Sequence, residues 1–192
     1  MGRIVISENV SLDGVMGDPT GEEGSRQGGW FQQFLNGDSD AWAQRGLEEA
    51  LGAAALLLGR RSDEYFGSRW TSRDGAWADR LNSLPKYVVS STLEDPVWIN
   101  SRVMKGDVVS EVSRLKHRLD GDIVCIASRQ LVGTLLEHDL VDEVRLVVYP
   151  AVLGSGERLF GETSDKTSLR RLESRTIGNG LAYLRYEVVR AA

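Results

Sequence analysis

The sequence is poorest in the residues that mark secreted, metal-binding and membrane-spanning proteins. Its 192 residues include one cysteine and two histidines. Cys125 lies inside an apolar run and has no second cysteine to pair with, as expected in a reducing cytoplasm. His117 and His138 fall on helical stretches without ligand-like spacing, so no metal site is expected. No apolar run approaches the roughly 20 residues that cross a bilayer. Met1-Gly2-Arg3-Ile4 lacks the basic, apolar and small-residue order of a signal peptide, and Ile6 stands where a myristoylation motif requires Ser or Thr. Positive charge is also short. With 23 basic against 28 acidic residues the net charge is -5, which leaves no face-wide basic excess for general nucleic-acid binding. No nucleophile has an evident base partner, which disfavours hydrolase chemistry. The length suits one good core, so a single domain over residues 1–192 in the cytoplasm is expected.

What the chain does have is a set of short apolar runs that stop abruptly. Ala54-Ala55-Leu56-Leu57-Leu58 is apolar on both faces, the pattern of a strand buried in a parallel sheet between helices, and it stops at Gly59-Arg60-Arg61. Tyr87-Val88-Val89 stops at Ser90-Ser91-Thr92, and Ile123-Val124-Cys125-Ile126 stops at Ala127-Ser128-Arg129. Ligands of open α/β sheets bind at the carboxyl ends of strands. Three such ends carrying small, hydroxylic or basic residues point to one phosphate-rich ligand across a sheet edge.

The remaining elements follow in order. Arg3–Ser7 reads as a first strand, and Asp13–Gly29 as a glycine-rich loop, a candidate for closing over a substrate. Helices are expected near Ser39–Leu51, Ser62–Phe66, Ala76–Leu84, Glu111–Leu119 and from Ser128 to about His138. Gly46 weakens the first of these. Val97-Trp98-Ile99 reads as a short strand and Val144–Tyr149 as a longer one. Arg171–Ile177 and Leu181–Val189 flank Gly178-Asn179-Gly180 with hairpin spacing.

Arg60 and Arg61 suit a phosphate monoester such as the 2′-phosphate of NADP, because an arginine fork gives planar bidentate contacts and Ser90, Ser91 and Thr92 add hydroxyls. The bland alternative has both arginines solvated or paired with Asp63 and Glu64. Ser128-Arg129-Gln130-Leu131 opens a helix, whose unpaired N–H groups and positive dipole end favour an anion. There an ordinary serine cap beside a surface arginine is an equal reading. Asp13 is the candidate acid near a reaction centre, able to bind a hydroxyl or ring nitrogen or relay a proton. A plain turn with Gly14 is its alternative. Trp30 is a candidate cover for a substrate ring, against the commoner use of tryptophan in packing. Gly154-Ser155-Gly156 lacks the third glycine of a dinucleotide fingerprint and is read as a turn where backbone approaches a ligand.

Taken in order, Ser11-Leu12-Asp13-Gly14, Leu57–Ser62, Tyr87–Thr92, Leu140–Val144, Pro150–Gly156 and the final hairpin resemble the dihydrofolate reductase-like superfamily. The closest likeness is to the branch holding the C-terminal reductase domain of the riboflavin-biosynthesis deaminase-reductase. The resemblance implies a three-layer αβα fold around a mixed, mainly parallel sheet with a C-terminal antiparallel hairpin. It implies NADPH lying across the sheet edge. Gly59, Arg60, Arg61, Ser90, Ser91 and Thr92 would lie on its adenosine phosphate side, and Ala127, Ser128, Arg129, Gln130 and Leu131 near its pyrophosphate. Asp13, Gly14, Trp30 and Gly154 would lie by the substrate. It also implies a homodimer.

The chain departs from the pattern in two places. Ala127-Ser128 replaces a glycine-led pair, and Trp30 has no acid after it until Asp38, so classical dihydrofolate reduction is not expected. No His/Cys zinc set of a deaminase is present. The expected activity is hydride transfer from NADPH to a small heterocyclic or ribosylaminopyrimidine-like substrate. The alternative is a nucleotide-binding or ligand-sensing module without turnover.

Overall fold

The structure is a computed structural model and describes residues 1–35, 37–161 and 166–190. The elements run β1 (Arg3–Ser11), α1 (Trp30–Leu35), α2 (Ser39–Gly52), β2 (Ala53–Gly59), α3 (Arg60–Trp70), α4 (Ala76–Ser83), β3 (Lys86–Val89) and β4 (Ser101–Met104). They continue with α5 (Val108–Arg118), β5 (Asp122–Ile126), α6 (Arg129–Glu137), β6 (Val141–Tyr149), β7 (Ser168–Ile177) and β8 (Leu181–Val189).

The strands form one eight-stranded sheet in the order β4-β3-β2-β5-β1-β6-β8-β7. Every pairing from β4 to β6 is parallel, and β8 returns antiparallel between β6 and β7. Because strand side chains alternate, the central strands bury both faces. Ile4, Ile6, Ala55, Leu57, Ile123 and Cys125 meet Val112 and Leu115 of α5 and Leu131, Val132 and Leu135 of α6. Val5, Leu56, Leu58, Val88 and Val124 face the other way, onto Ala50 of α2 and Leu81 of α4, with Phe66 and Trp70 of α3 packed alongside. A third cluster joins Trp30 and Leu35 of α1 to Tyr149 of β6 and to Ile177, Leu181 and Tyr183 of the terminal hairpin. This is the expected three-layer αβα fold with its antiparallel C-terminal hairpin.

The crossovers place a crevice. After β1 the chain crosses by α2 to β2, and after β5 it crosses by α6 to β6, on the opposite face. The β1–β5 gap is therefore a switch point, where open α/β sheets bind ligands. The gap is also physically open. β5 ends opposite Ser7 at Ile126, whereas β1 continues beside β6 as far as the Ser11–Tyr149 pair.

Several expectations change. Val97–Ile99 is not a strand, because the Val97 and Trp98 N–H groups both donate to the buried Asp63 carboxylate and are lost to any ladder. The edge strand is Ser101–Met104 instead. The helix expected over Ser62–Phe66 starts two residues earlier and extends to Trp70. α1 was not anticipated. The Asp13–Gly29 loop is ordered internally: the buried Asp18 carboxylate accepts from the Glu23 and Ser25 N–H groups at 3.0 and 2.8 Å. Glu22 pairs with Arg69 of α3, so the loop reaches across from β1 to α3. Gly46 within α2 makes room for a neighbour, since a Cβ there would lie 2.2 Å from the Trp77 ring.

Candidate functional site

The ends of β2, β3 and β5 converge as expected. Gly59 closes β2 and caps α3, and its N–H donates to the Ser128 hydroxyl at 2.8 Å. Ser62 Oγ lies 2.7 Å from the same hydroxyl, which itself reaches the Ile126 carbonyl at 3.1 Å. One serine thus ties the tips of α3 and α6 together. Neither helix has a side-chain cap: Gly59 has none to offer, and Ser128 is turned away toward β2. Their first N–H groups and the positive ends of both dipoles are left without a side-chain acceptor, the chemistry that favours an anion.

The backbone is strained at this place. Ala127 and Ser128 both have positive φ, at 50° and 59°, a conformation that non-glycine residues adopt at a cost and that collects at functional sites. Two non-glycine residues thus hold a left-handed conformation that glycine adopts without cost. Ser128 is therefore not an ordinary serine cap.

Arg60 stands exposed at the first position of α3, donates to Thr92 Oγ1 at 3.3 Å and lies 3.7 Å from Glu64. Asp63 is not its partner, being buried and held by Val97, Trp98 and Ser101. Arg61 is exposed beside it, and Ser91 is exposed on the neighbouring turn. Ser90 Oγ accepts from the Leu93 N–H at 3.0 Å and shapes that turn. Gln130 is exposed on α6, whereas the Leu131 side chain is in the core, so only its backbone can face a ligand. Arg129 is committed elsewhere: its Nε donates to the Arg158 carbonyl at 2.9 Å and anchors the segment after β6.

The substrate-side expectations need more correction. The Asp13 carboxylate accepts from Ser11 Oγ at 2.7 Å and from the Leu153 and Gly154 N–H groups at 3.0 and 2.9 Å, and Arg158 lies 3.5 Å away. Those backbone donors, led by Leu153 and reinforced by Ser11, pull its carboxyl down to about 2. An acid held ionised this firmly braces a loop and has no proton to relay. Gly154 spends its N–H on that brace, so that donor is not available to a ligand. Gly14, at φ 80°, makes the turn, and its carbonyl accepts from the Leu159 N–H. Trp30 covers no ligand: it is 1% exposed, packs edge-on against Tyr149 and donates its ring N–H to the Gly17 carbonyl.

The sequence reading passed over Glu8. It lies on β1 at the first position beyond the end of β5. Its Oε1 accepts from the Asn9 N–H at 2.9 Å, while Oε2 is buried without a partner among the described residues. Burial pushes its carboxyl up to about 7, with the Glu49 charge adding to the rise. The only sequence signal was a carboxylate interrupting the apolar alternation of Ile4, Ile6 and Val10.

A mixed, mainly parallel eight-stranded sheet with an antiparallel C-terminal hairpin defines a dihydrofolate reductase-like α/β fold. The chain belongs to the RibD C-terminal domain family, which matches residues 3–183. It is similar to YyaP of Bacillus subtilis strain 168, at 28% identity over 201 residues, covering 96% of this chain and 94% of that one. Among solved structures it is similar to a candidate riboflavin biosynthesis protein of Shewanella sp. PV-4, with TM-score 0.75, 22% identity and coverage of 98% and 99%. Dihydrofolate reductase of Enterococcus faecalis, complexed with NADP(H), matches with TM-score 0.61 and 14% identity over 97% and 96% of the two chains. RibD of Acinetobacter baumannii matches with TM-score 0.68 and 16% identity, over 98% of this chain and 58% of its own.

Proposed function

We propose that this protein is an NADPH-dependent reductase of small heterocyclic or ribosylaminopyrimidine-like substrates. One observation carries the reading: two uncapped helix N-termini, those of α3 and α6, are joined through Ser128 at the switch-point edge of the sheet. The donor set fits a dinucleotide. The open backbone N–H groups of the two helix starts suit a pyrophosphate, while Arg60 and Arg61 with Thr92 suit a phosphate monoester on the adenosine ribose. Bound NADPH would supply a hydride, and the protein would hold it in place and exclude water. The family supports a reductase-type activity, and the Enterococcus relative of the same fold is complexed with NADP(H). A cytoplasmic location and a single domain belong to the same proposal; among the described residues no helix is long and apolar enough to cross a membrane.

Tryptophan quenching by NADPH, followed by NADPH-oxidation assays on aminopyrimidine and pterin substrates, tests it. The expected result is saturable quenching and turnover of at least one aminopyrimidine. Saturable binding without any oxidation would instead assign a nucleotide-binding module, and no binding would remove the proposal.

A further inference from the structure

Reducing a carbon–nitrogen or carbon–oxygen double bond needs a proton as well as a hydride, and Asp13 cannot give one. The crevice holds a second carboxyl. Strand alternation fixes where it lies. Arg3 donates its N–H to Gly121, just ahead of β5, and Ile4 donates to Asp142 of β6. Odd residues of β1 therefore turn their N–H groups toward the β5 side. Asn9 is odd and lies beyond the end of β5, so its N–H opens into the crevice, and the Glu8 carboxyl caps it there at 2.9 Å. Glu8 Oε1 is thus an acceptor, the Ala127 N–H also acts on the carboxyl, and Oε2 is buried without a hydrogen-bond partner among the described residues. The other buried carboxylates of the described residues, Asp18, Asp38, Asp63 and Glu143, have at least two donors each. A buried polar atom left open in this way calls for a partner from outside the chain.

We propose that Glu8 is the acid that protonates the substrate during reduction, acting from Oε2 in the crevice between β1 and β5. The proposal rests on the reductase reading. The surroundings favour the protonated form. Glu49 on α2 adds negative charge, Cys125 on β5 is a buried thiol, and the β6 register partner is Leu146. On α6 the nearest basic residue, Arg129, is bound to the Arg158 carbonyl, and Arg158 is paired with Asp13. On the α2 side the cations Arg45 and Arg145 are both paired with Glu49, and burial keeps the Glu8 carboxyl near 7. With Oε1 accepting, the proton sits on Oε2. As the substrate carbon takes up the hydride, the π pair moves to the nitrogen or oxygen, which takes the proton from Oε2. Bound NADPH would supply that hydride and its electron pair, and the Glu8 carboxylate recovers a proton from water.

The test compares the wild type with Glu8→Gln, which keeps the size and removes the acid. Infrared difference spectra between the two proteins report the Glu8 carboxyl directly, without substrate. The expected result is a protonated-carboxyl band that titrates near neutrality in the wild type and is missing from the variant. Both proteins should quench equally with NADPH, which shows the variant folded. On a turned-over substrate, wild-type kcat/KM should fall roughly ten-fold per pH unit above about 7, and the variant should be roughly 100-fold slower or more, without that limb. If Glu8 is ionised throughout the neutral range, or if Glu8→Gln keeps the wild-type rate and pH limb, the proposal is overturned while the reductase reading stands. If NADPH binds neither protein, the reductase reading falls and takes the proposal with it.

Discussion

Two carboxyl groups near the end of β1 have been pushed in opposite directions by their surroundings. Asp13 accepts from a hydroxyl and two backbone N–H groups, and its carboxyl sits at about 2. Glu8 has the Asn9 N–H on Oε1, the Ala127 N–H acting on the same carboxyl and no hydrogen-bond partner on Oε2 among the described residues, and burial outweighs these donors to hold its carboxyl at about 7. The Asp13 effect is a stability device with a definite sign. Because its folded value lies below the ordinary 3.8, its contribution is present above that pH and is lost as the pH falls toward about 2. Asp13→Ala should lower unfolding stability at neutral pH by about 1–3 kcal/mol, since the Leu153 and Gly154 N–H groups lose their acceptor. The variant should also show less acid destabilisation than the wild type, as read from urea melts at neutral and acid pH. Equal stability in both proteins would mean that the loop after β6 does not depend on this brace. At this scale the sequence was only half legible. It marked Asp13 as a residue with work to do, but its partners lie 140 and 141 residues along the chain, beyond any local pattern. It hid Glu8 because a lone glutamate in an alternating strand reads as a solvent-facing residue, and only the ending of β5 exposes the crevice.

At the scale of elements, the apolar runs carried most of the information. Strands buried on both faces must be apolar at nearly every position, and that is why β2, β3 and β5 and the residues that end them stood out. Short elements held by tertiary contacts did not. α1 is six residues long and is set by packing on Tyr149 and Val147, and β4 gains its place as the outer neighbour of β3. The same distinction decides where a homodimer, which we propose, could form. The apolar β6 lies between β1 and β8 and has no free edge. In the tail hairpin, β7 is a terminal strand of the sheet, largely exposed, with Leu169 and Leu172 at 42% and 47%. Such an edge is a site for pairing with a second chain. Light scattering at micromolar concentration should give a dimer for the wild type and a monomer when Leu172 is replaced by lysine. A wild-type monomer would remove the homodimer, and a variant that stays dimeric would move it off β7.

Over the whole molecule, the two ends of the central strands are built for different tasks. Around the starts of β1, β5 and β6, Glu143 is buried and accepts from Arg3, Arg145 and Arg185, while Arg145 also binds Asp122 and Glu49. That network joins β1, β5, β6, β8 and α2 and satisfies itself. At the other ends, around Gly59, Arg60, Ser128 and Glu8, donors and one acid are left open and the backbone is strained. Local rules are broken where a ligand is proposed and kept where the fold is braced. The proposed ligand turns that contrast into a number. NADPH differs from NADH by one phosphate monoester, and Arg60 beside Thr92 is the group proposed to hold it. A charge-assisted hydrogen bond contributes about 1.5–3 kcal/mol, so losing one should weaken NADPH binding roughly ten-fold or more. NADH never makes the contact. The direct measurement is the Kd of both cofactors for the wild type and for Arg60→Ala at one ionic strength. The wild type should prefer NADPH, and the variant should lose this preference with NADH affinity unchanged. An equal loss for both cofactors, or no change in either, would contradict this assignment of Arg60.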